Sequence, residues 1–268
     1  MKHIHPLGRL LKHWRAVRHM SQLDLALSAS VSARHVSFIE TGRSRPSREM
    51  VLQLAGALEL PLRESNVLLE AAGFAQVYRQ TDLDDPALAQ ARQALDFIMK
   101  AHEPYPALVL DRYWNMVMSN TPSMRILGHF MADPAAITQP PNAVRLTFDP
   151  NGLRPFIVDW EPAAAFVIDR VHRDALGGAP DEGTLALLDE VLSYPGVPAE
   201  WALPNLDQPP VPLLPVSFER DGLRVDLFTM MTTFGTPQDV TLQELRIESF
   251  YPANPESEAA LARISGDA

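Results

Sequence analysis

Cysteine is absent from the 268 residues, which excludes disulfides, thiolate metal sites and cysteine nucleophiles and suits a reducing compartment. No stretch approaches about 18 uninterrupted apolar residues, so no membrane span is predicted. The start, Met1-Lys2-His3-Ile4-His5-Pro6, leads into no signal-peptide core. A cytoplasmic chain with no membrane partner is expected. Also missing are a Gly-rich phosphate loop, a G-x-S-x-G elbow and any His-Asp-Ser order in a plausible strand context. Catalytic residues are therefore not assigned and an enzyme is not expected. None of the eight histidines pairs at i, i+4 beside a carboxylate set, so no metal site and no required cofactor is predicted.

Positive charge is scarce beyond the first fifty residues. Residues 1–50 hold nine Lys/Arg against three acids, a balance of +6, so the remainder carries −16 to reach the net −10. A basic head on an acidic body points to a polyanion for the head and another partner for the body. With 46% hydrophobic and 21% charged residues, most of the chain can bury a core, and the charge break favours two domains.

The head reads as short amphipathic helices. Leu7, Leu10, Leu11, Trp14 and Val17 recur at helical spacing. Ser21 caps a second helix, with Asp24 at the position where Glu would complete a capping box. Ala26 is small where two helices must cross. Ser32 caps a third helix with Val36 and Ile39 inward, and Gly42 ends it in a left-handed cap. Pro46-Ser47 opens a fourth and Pro61 a fifth. The second and third helices form a helix-turn-helix, the arrangement that lays a helix into the DNA major groove. Its outward positions are Ser32, Ala33, Arg34, His35, Ser37 and Phe38. Arg34 can fork onto guanine, a contact worth roughly 1–3 kcal/mol of discrimination. Ala33 offers a methyl-sized surface to thymine. Gln22 is placed to reach a phosphate, and Arg43 and Arg45 to clamp the backbone. The competing reading is an ordinary solvated basic face.

A single linker helix is predicted over Thr81–His102, entered at Asp84-Asp85-Pro86. Two strands follow, at 107–111 and 114–118, joined at Arg112-Tyr113. A helix runs from Thr121-Pro122 to Gly128, and irregular structure to Asp159. Helices are predicted over 162–176 and 184–194, then a proline-rich extended loop over 195–215. A hairpin turns at Arg220-Asp221-Gly222 between strands 216–218 and 223–228. Strand 245–249 alternates, and its apolar residues are read as inward and its charged ones as outward. The order β-β-α-α-α-β-β-β is that of a PAS-like sensor fold, with helices across one face of an antiparallel sheet. The missing cysteine excludes a cysteinyl–flavin adduct. His129 and His172 are isolated, read as solvated, and do not suggest haem.

Gln22, Ala26, Val36, Ile39, Glu40, Gly42, Arg43, Arg45 and Pro46 resemble the helix-turn-helix of Xre-class regulators. The run Val31–Ser47, with Leu83-Asp84-Asp85-Pro86 and His102–Asp111, resembles the MmyB-like branch of these proteins. Ser30 stands where glycine is common, so a left-handed turn there would carry strain of about 1 kcal/mol. The resemblance implies a lambda-repressor-like five-helix bundle followed by a PAS-like α/β domain that binds a small lipophilic ligand, fatty acid being the family's example. Asn142, Arg145, Phe148 and Trp160 match an Asn-x-x-Arg-x-x-Phe segment followed by Trp. Arg145 is then the candidate for a ligand carboxylate, and Trp114, Met116, Met118, Phe130, Phe148, Phe156, Trp160, Phe228 and Met230 are candidates for an apolar wall. The competing reading makes the stripe plain core and pairs Arg145 with Asp149 or Asp159.

The expectation is an α+β multidomain chain: 1–77 helix-turn-helix domain, 78–103 linker helix, 104–268 ligand-binding domain. As a homodimer on a near-palindromic double-stranded operator it would be a ligand-responsive transcription regulator. The alternative keeps the DNA-binding head and makes the body an antitoxin-like protein-interaction module.

Overall fold

The structure is a computed structural model that describes residues 6–176, 181–204 and 215–266. Its contacts divide the chain into two compact units, Met1–Thr81 with Thr236–Gln243, and Asp82–Gly235 with Glu244–Ala268.

The first unit holds α1 (Pro6–Val17), α2 (Gln22–Ser28), α3 (Ala33–Glu40), α4 (Arg48–Ala57) and α5 (Leu62–Ala71). Leu7, Leu11 and Trp14 of α1 meet Leu25, Ala26, Val36, Ile39, Val51, Leu54, Leu68 and Leu69 in one buried core. The capping box at α2 is complete with Asp in place of Glu. The Asp24 amide donates to Ser21 Oγ at 3.1 Å and the Ser21 amide to Asp24 Oδ2 at 2.8 Å. These bonds hold the Asp24 carboxyl below its ordinary range. Ser30 adopts φ 50° in the turn between α2 and α3. Gly8 is required by close packing, because a Cβ there would overlap the Glu40 carbonyl oxygen. The returning segment 236–243 joins this unit through Val240 N to Arg79 O (2.8 Å), Thr81 Oγ1 to Asp239 Oδ2 (2.6 Å) and Leu62 N to Gln243 Oε1 (2.6 Å).

The second unit begins with a 3-10 turn, Pro86–Leu88, that runs into α6 (Ala89–Ala101). The helix predicted from Thr81 therefore starts later, and by contacts it belongs to this unit. Then come β1 (Ala107–Leu110), β2 (Met116–Ser119), α7 (Thr121–Phe130), α8 (Ala143–Phe148), α9 (Trp160–Leu176), α10 (Glu182–Leu192), β3 (Pro215–Arg220), β4 (Leu223–Thr232), α11 (Val240–Glu244, shared with the first unit), β5 (Arg246–Pro252) and α12 (Pro255–Ser265). Helix α8 arises inside the segment predicted as irregular: Asn142 caps it by accepting from the amides of Val144 and Arg145, both at 3.1 Å. Residues 205–214 of the predicted proline-rich loop lie outside the described residues; Ala199–Ala202 within it forms a 3-10 turn.

The strands form one antiparallel sheet in the order β2-β1-β5-β4-β3. The β3–β4 hairpin turns through Asp221 (φ 53°) and Gly222 (φ 78°). Two successive positive φ values are the mark of the type I′ turn, whose twist matches that of the strands. The central position of β5 corrects the reading of its alternation. Ile247 and Ser249 are buried on one face, where α6 packs against β1. Arg246 and Glu248 share the other face with Phe250, under the remaining helices. A middle strand covered on both sides has no solvent-facing row, so its charged residues need partners inside. His172 is also interior, with Nε2 2.8 Å from the Trp201 carbonyl oxygen, contrary to its reading as solvated.

Candidate functional site

Two places carry chemistry. The first is α3. Its inward residues Val36 and Ile39 are buried, while Ser32 and Arg34 are exposed and Ala33, His35, Ser37 and Phe38 are half-buried. Arg34 and Arg43 both lie over the Phe38 ring, at 5.1 and 5.9 Å from its centroid, which orders two cationic heads beside the helix. Among the described residues, none of Arg34, Arg43 and Arg45 forms an ion pair. Each is exposed, so each keeps its donors for a partner.

Below this surface Glu40, at the end of α3, is 1% exposed. It receives Arg15 Nε at 2.7 Å and Nη2 at 3.2 Å, and Gln22 Nε2 at 2.6 Å. One buried carboxylate thus ties α1, α2 and α3 together and sets the tilt of the exposed helix. One of the two amide hydrogens of Gln22 is used here: Nε2 donates inward to Glu40, because an uncompensated lone pair on that buried carboxylate would be costly.

The second place is a cavity of about 120 Å³ in the second unit, between the sheet and its helices. Strand residues Leu108, Met116, Val216, Phe218, Leu227 and Phe250 form its floor. Ile126 and Leu127 of α7, Val144 of α8, and Ala163 and Val167 of α9 close it with Leu153 and Ile157. By volume it matches about four water molecules, yet it is lined almost entirely by carbon. Trp114 is held at its edge with φ 66°, a conformation rare for a large side chain. Asp111 secures that turn by accepting from the amides of Tyr113 (2.8 Å) and Asn115 (2.9 Å).

A charged group interrupts the apolar lining. Glu248 borders the cavity on the same face of the sheet as Thr229, which donates to its carboxylate. Burial pushes the Glu248 carboxyl up to about 7, against the pull of Arg170, Thr229 and Arg246. Arg246 pairs with Asp174 at 2.6 Å, and Trp114 Nε1 donates to the same carboxylate at 3.2 Å. Arg170 and Arg246 lie 5.6 and 5.2 Å from the Trp114 ring centroid. Arg170 donates to Met231 Sδ at 2.8 Å, a weak acceptor, and desolvation lowers its pKa.

Of the residues named for the pocket from sequence, Trp114 and Met116 border the cavity and the other eight do not. Arg145 forms a two-pronged pair with Glu190 on α10, not with Asp149 or Asp159. Phe130 and Phe148 are fully buried core, the former stacked on Phe218 and the latter edge-on to Trp160. Trp160 lies under Arg154 and donates to the Thr147 carbonyl oxygen, and Phe156 lies under Arg220. Met118 pairs with Val109. Phe228 stacks on Tyr251, and Met230 is 51% exposed. Glu248 and Thr229 were missed. The available signal was a period-two register that places Glu248 with Phe250.

Residues 91–264 match the family described as the MmyB-like transcription regulator ligand binding domain, and residues 11–65 match a helix-turn-helix family. Both families are those of transcription regulators. No curated protein matches the sequence. With its exposed arginine-bearing helix and its apolar cavity, and with the greater part of its length inside the first of these matches, the chain belongs to the MmyB-like transcription regulator family.

Proposed function

We propose that this chain is a homodimeric, ligand-responsive regulator that reads a near-palindromic operator through α3 and binds a small lipophilic molecule in the cavity of its second unit. The observation that carries the reading is the pairing, in one chain, of a helix with unpaired outward arginines and a cavity of about 120 Å³ walled by aliphatic and aromatic side chains. An interior cavity of that size is a cost unless something occupies it. Arg34 is the base reader, with Ser32, Ala33, His35 and Ser37 beside it and Arg43 and Arg45 on the phosphates. Trp114 and Met116 form part of the ligand wall.

The order β2-β1-β5-β4-β3 supports the PAS-like reading of the sensor. Phe97 and Ile98 on α6 are 64% and 41% exposed and support an apolar seam for a second copy. No helix among the described residues is long and apolar enough to cross a membrane, in keeping with work on cytoplasmic DNA. The occupant biases DNA binding only through differential affinity for two states of the dimer.

Native mass spectrometry of the purified chain tests the ligand part. A co-purified mass in the range of a single alkyl chain, or a raised melting temperature on adding one, is the expected result. A bare mass with no thermal response would overturn it in favour of a protein-interaction body.

A further inference from the structure

Resting on the reading that the cavity holds a lipophilic molecule, we infer that its occupant is an unbranched alkyl chain ending in a neutral hydroxyl group, which hydrogen-bonds to Glu248, and not a fatty-acid carboxylate. Four polar side chains border the cavity. Two are spent on the protein itself: Ser123 donates to the Ala107 carbonyl oxygen at 2.8 Å and Thr147 to that of Ala143 at 2.9 Å. Thr229 gives its hydroxyl proton to Glu248. Glu248 is therefore the polar group that an incoming head meets, and the only charged residue in the lining among the described residues.

Three head groups differ in how they meet it. A carboxylate faces another carboxylate across a low-dielectric space. The guanidinium groups that might have received it are elsewhere: Arg145 is engaged by Glu190, and neither Arg170 nor Arg246 borders the cavity. An ammonium fares no better: Glu248 and Asp174 are already balanced by Arg170 and Arg246, so an added ion of either sign enters a cluster with no net charge to meet it. A hydroxyl both donates and accepts, so it satisfies Glu248 whether or not that carboxyl holds its proton. The space, somewhat smaller than the roughly 150 Å³ apolar cavity that takes up benzene, suits a chain on the order of five carbons.

The experiment titrates the delipidated full-length chain with pentan-1-ol, pentanoic acid and pentylamine at pH 7.5, read by tryptophan fluorescence, with Trp114 at the cavity edge as reporter. Pentanol is expected to bind about tenfold tighter than either charged probe, the penalty for an ion without a partner. In Glu248→Gln, whose amide donates to a carboxylate, pentanoate gains and the preference for pentanol disappears. Pentanoate binding the unaltered chain as tightly as pentanol overturns the inference. So does an unchanged preference in a folded Glu248→Gln protein. The comparison on the unaltered chain decides by itself if that variant does not fold. Failure of all three probes to bind or to shift the melting temperature overturns the lipophilic-ligand reading itself.

Discussion

Arg145 and Glu190 meet as a fork, Nε to Oε1 at 2.8 Å and Nη2 to Oε2 at 2.9 Å, joining α8 to α10 outside the cavity lining. Glu190 raises the already high pKa of the guanidinium, so Arg145 keeps its positive charge. Arg145→Ala is expected to cost about 1 kcal/mol of stability, given that both side chains keep contact with water. It should leave the affinity for an alkyl ligand within about twofold of the parent. Thermal melts and ligand titrations on the variant check this, and a tenfold loss of ligand affinity would return Arg145 to the binding site.

Glu40 differs from that pair because it is buried. Removing its carboxylate leaves Gln22 Nε2 and two of the Arg15 donors without their acceptor, Arg15 keeping only the Met20 carbonyl oxygen. Glu40→Ala is expected to destabilise the first unit by about 3 kcal/mol and to abolish DNA binding through loss of fold. Chemical denaturation followed by far-UV circular dichroism measures it. A variant as stable as the parent would contradict the role given to this network.

Ser30 holds φ 50° while exposed to solvent. Ser30→Gly removes the left-handed penalty in the folded turn, although glycine has more freedom to lose on folding. The balance favours a gain of about 0.5 kcal/mol, visible as a slightly raised melting temperature with unchanged DNA affinity. A lower melting temperature would indicate that the turn is unstrained.

Burial pushes the Glu248 carboxyl up to about 7 in the folded chain, from its ordinary 4.5. Below about pH 4.5 it is protonated in both states and exerts no pH-dependent effect. As pH rises from there toward 7 the unfolded chain releases this proton and the folded chain retains it, so stability falls; above 7 the loss is complete. Glu248→Gln, which cannot ionise, should melt close to the parent at pH 4.5 and a few degrees higher at pH 8. Identical differences at the two pH values would contradict the burial of this group.

Much of this was legible in the sequence. The five helices of the head follow from caps at Ser21, Ser32 and Ser47 and from apolar spacing, signals that are local. The β3–β4 hairpin follows from Asp221-Gly222 for the same reason. The site was less legible because it depends on strand order. Nothing local in Arg246-Ile247-Glu248 says that β5 is the middle strand, and only in a middle strand is Glu248 interior. Likewise Gln22 has the right place to reach a phosphate, and the acceptor it meets in the fold, Glu40, is 18 residues away. Partners distant in sequence and chosen by packing were the part that periodicity does not reveal.

The central claim, that α3 reads DNA through its outward arginine, is tested most directly by selecting duplexes from a random pool with the full chain and with Arg34→Ala. The account predicts that the unaltered chain enriches a near-palindromic site whose half-sites are about one helical turn apart. Arg34→Ala should retain salt-sensitive binding but lose roughly 1–3 kcal/mol of discrimination at one guanine per half-site. Failure of the unaltered chain to enrich any sequence, or recovery of the same site with the same discrimination by Arg34→Ala, would contradict it.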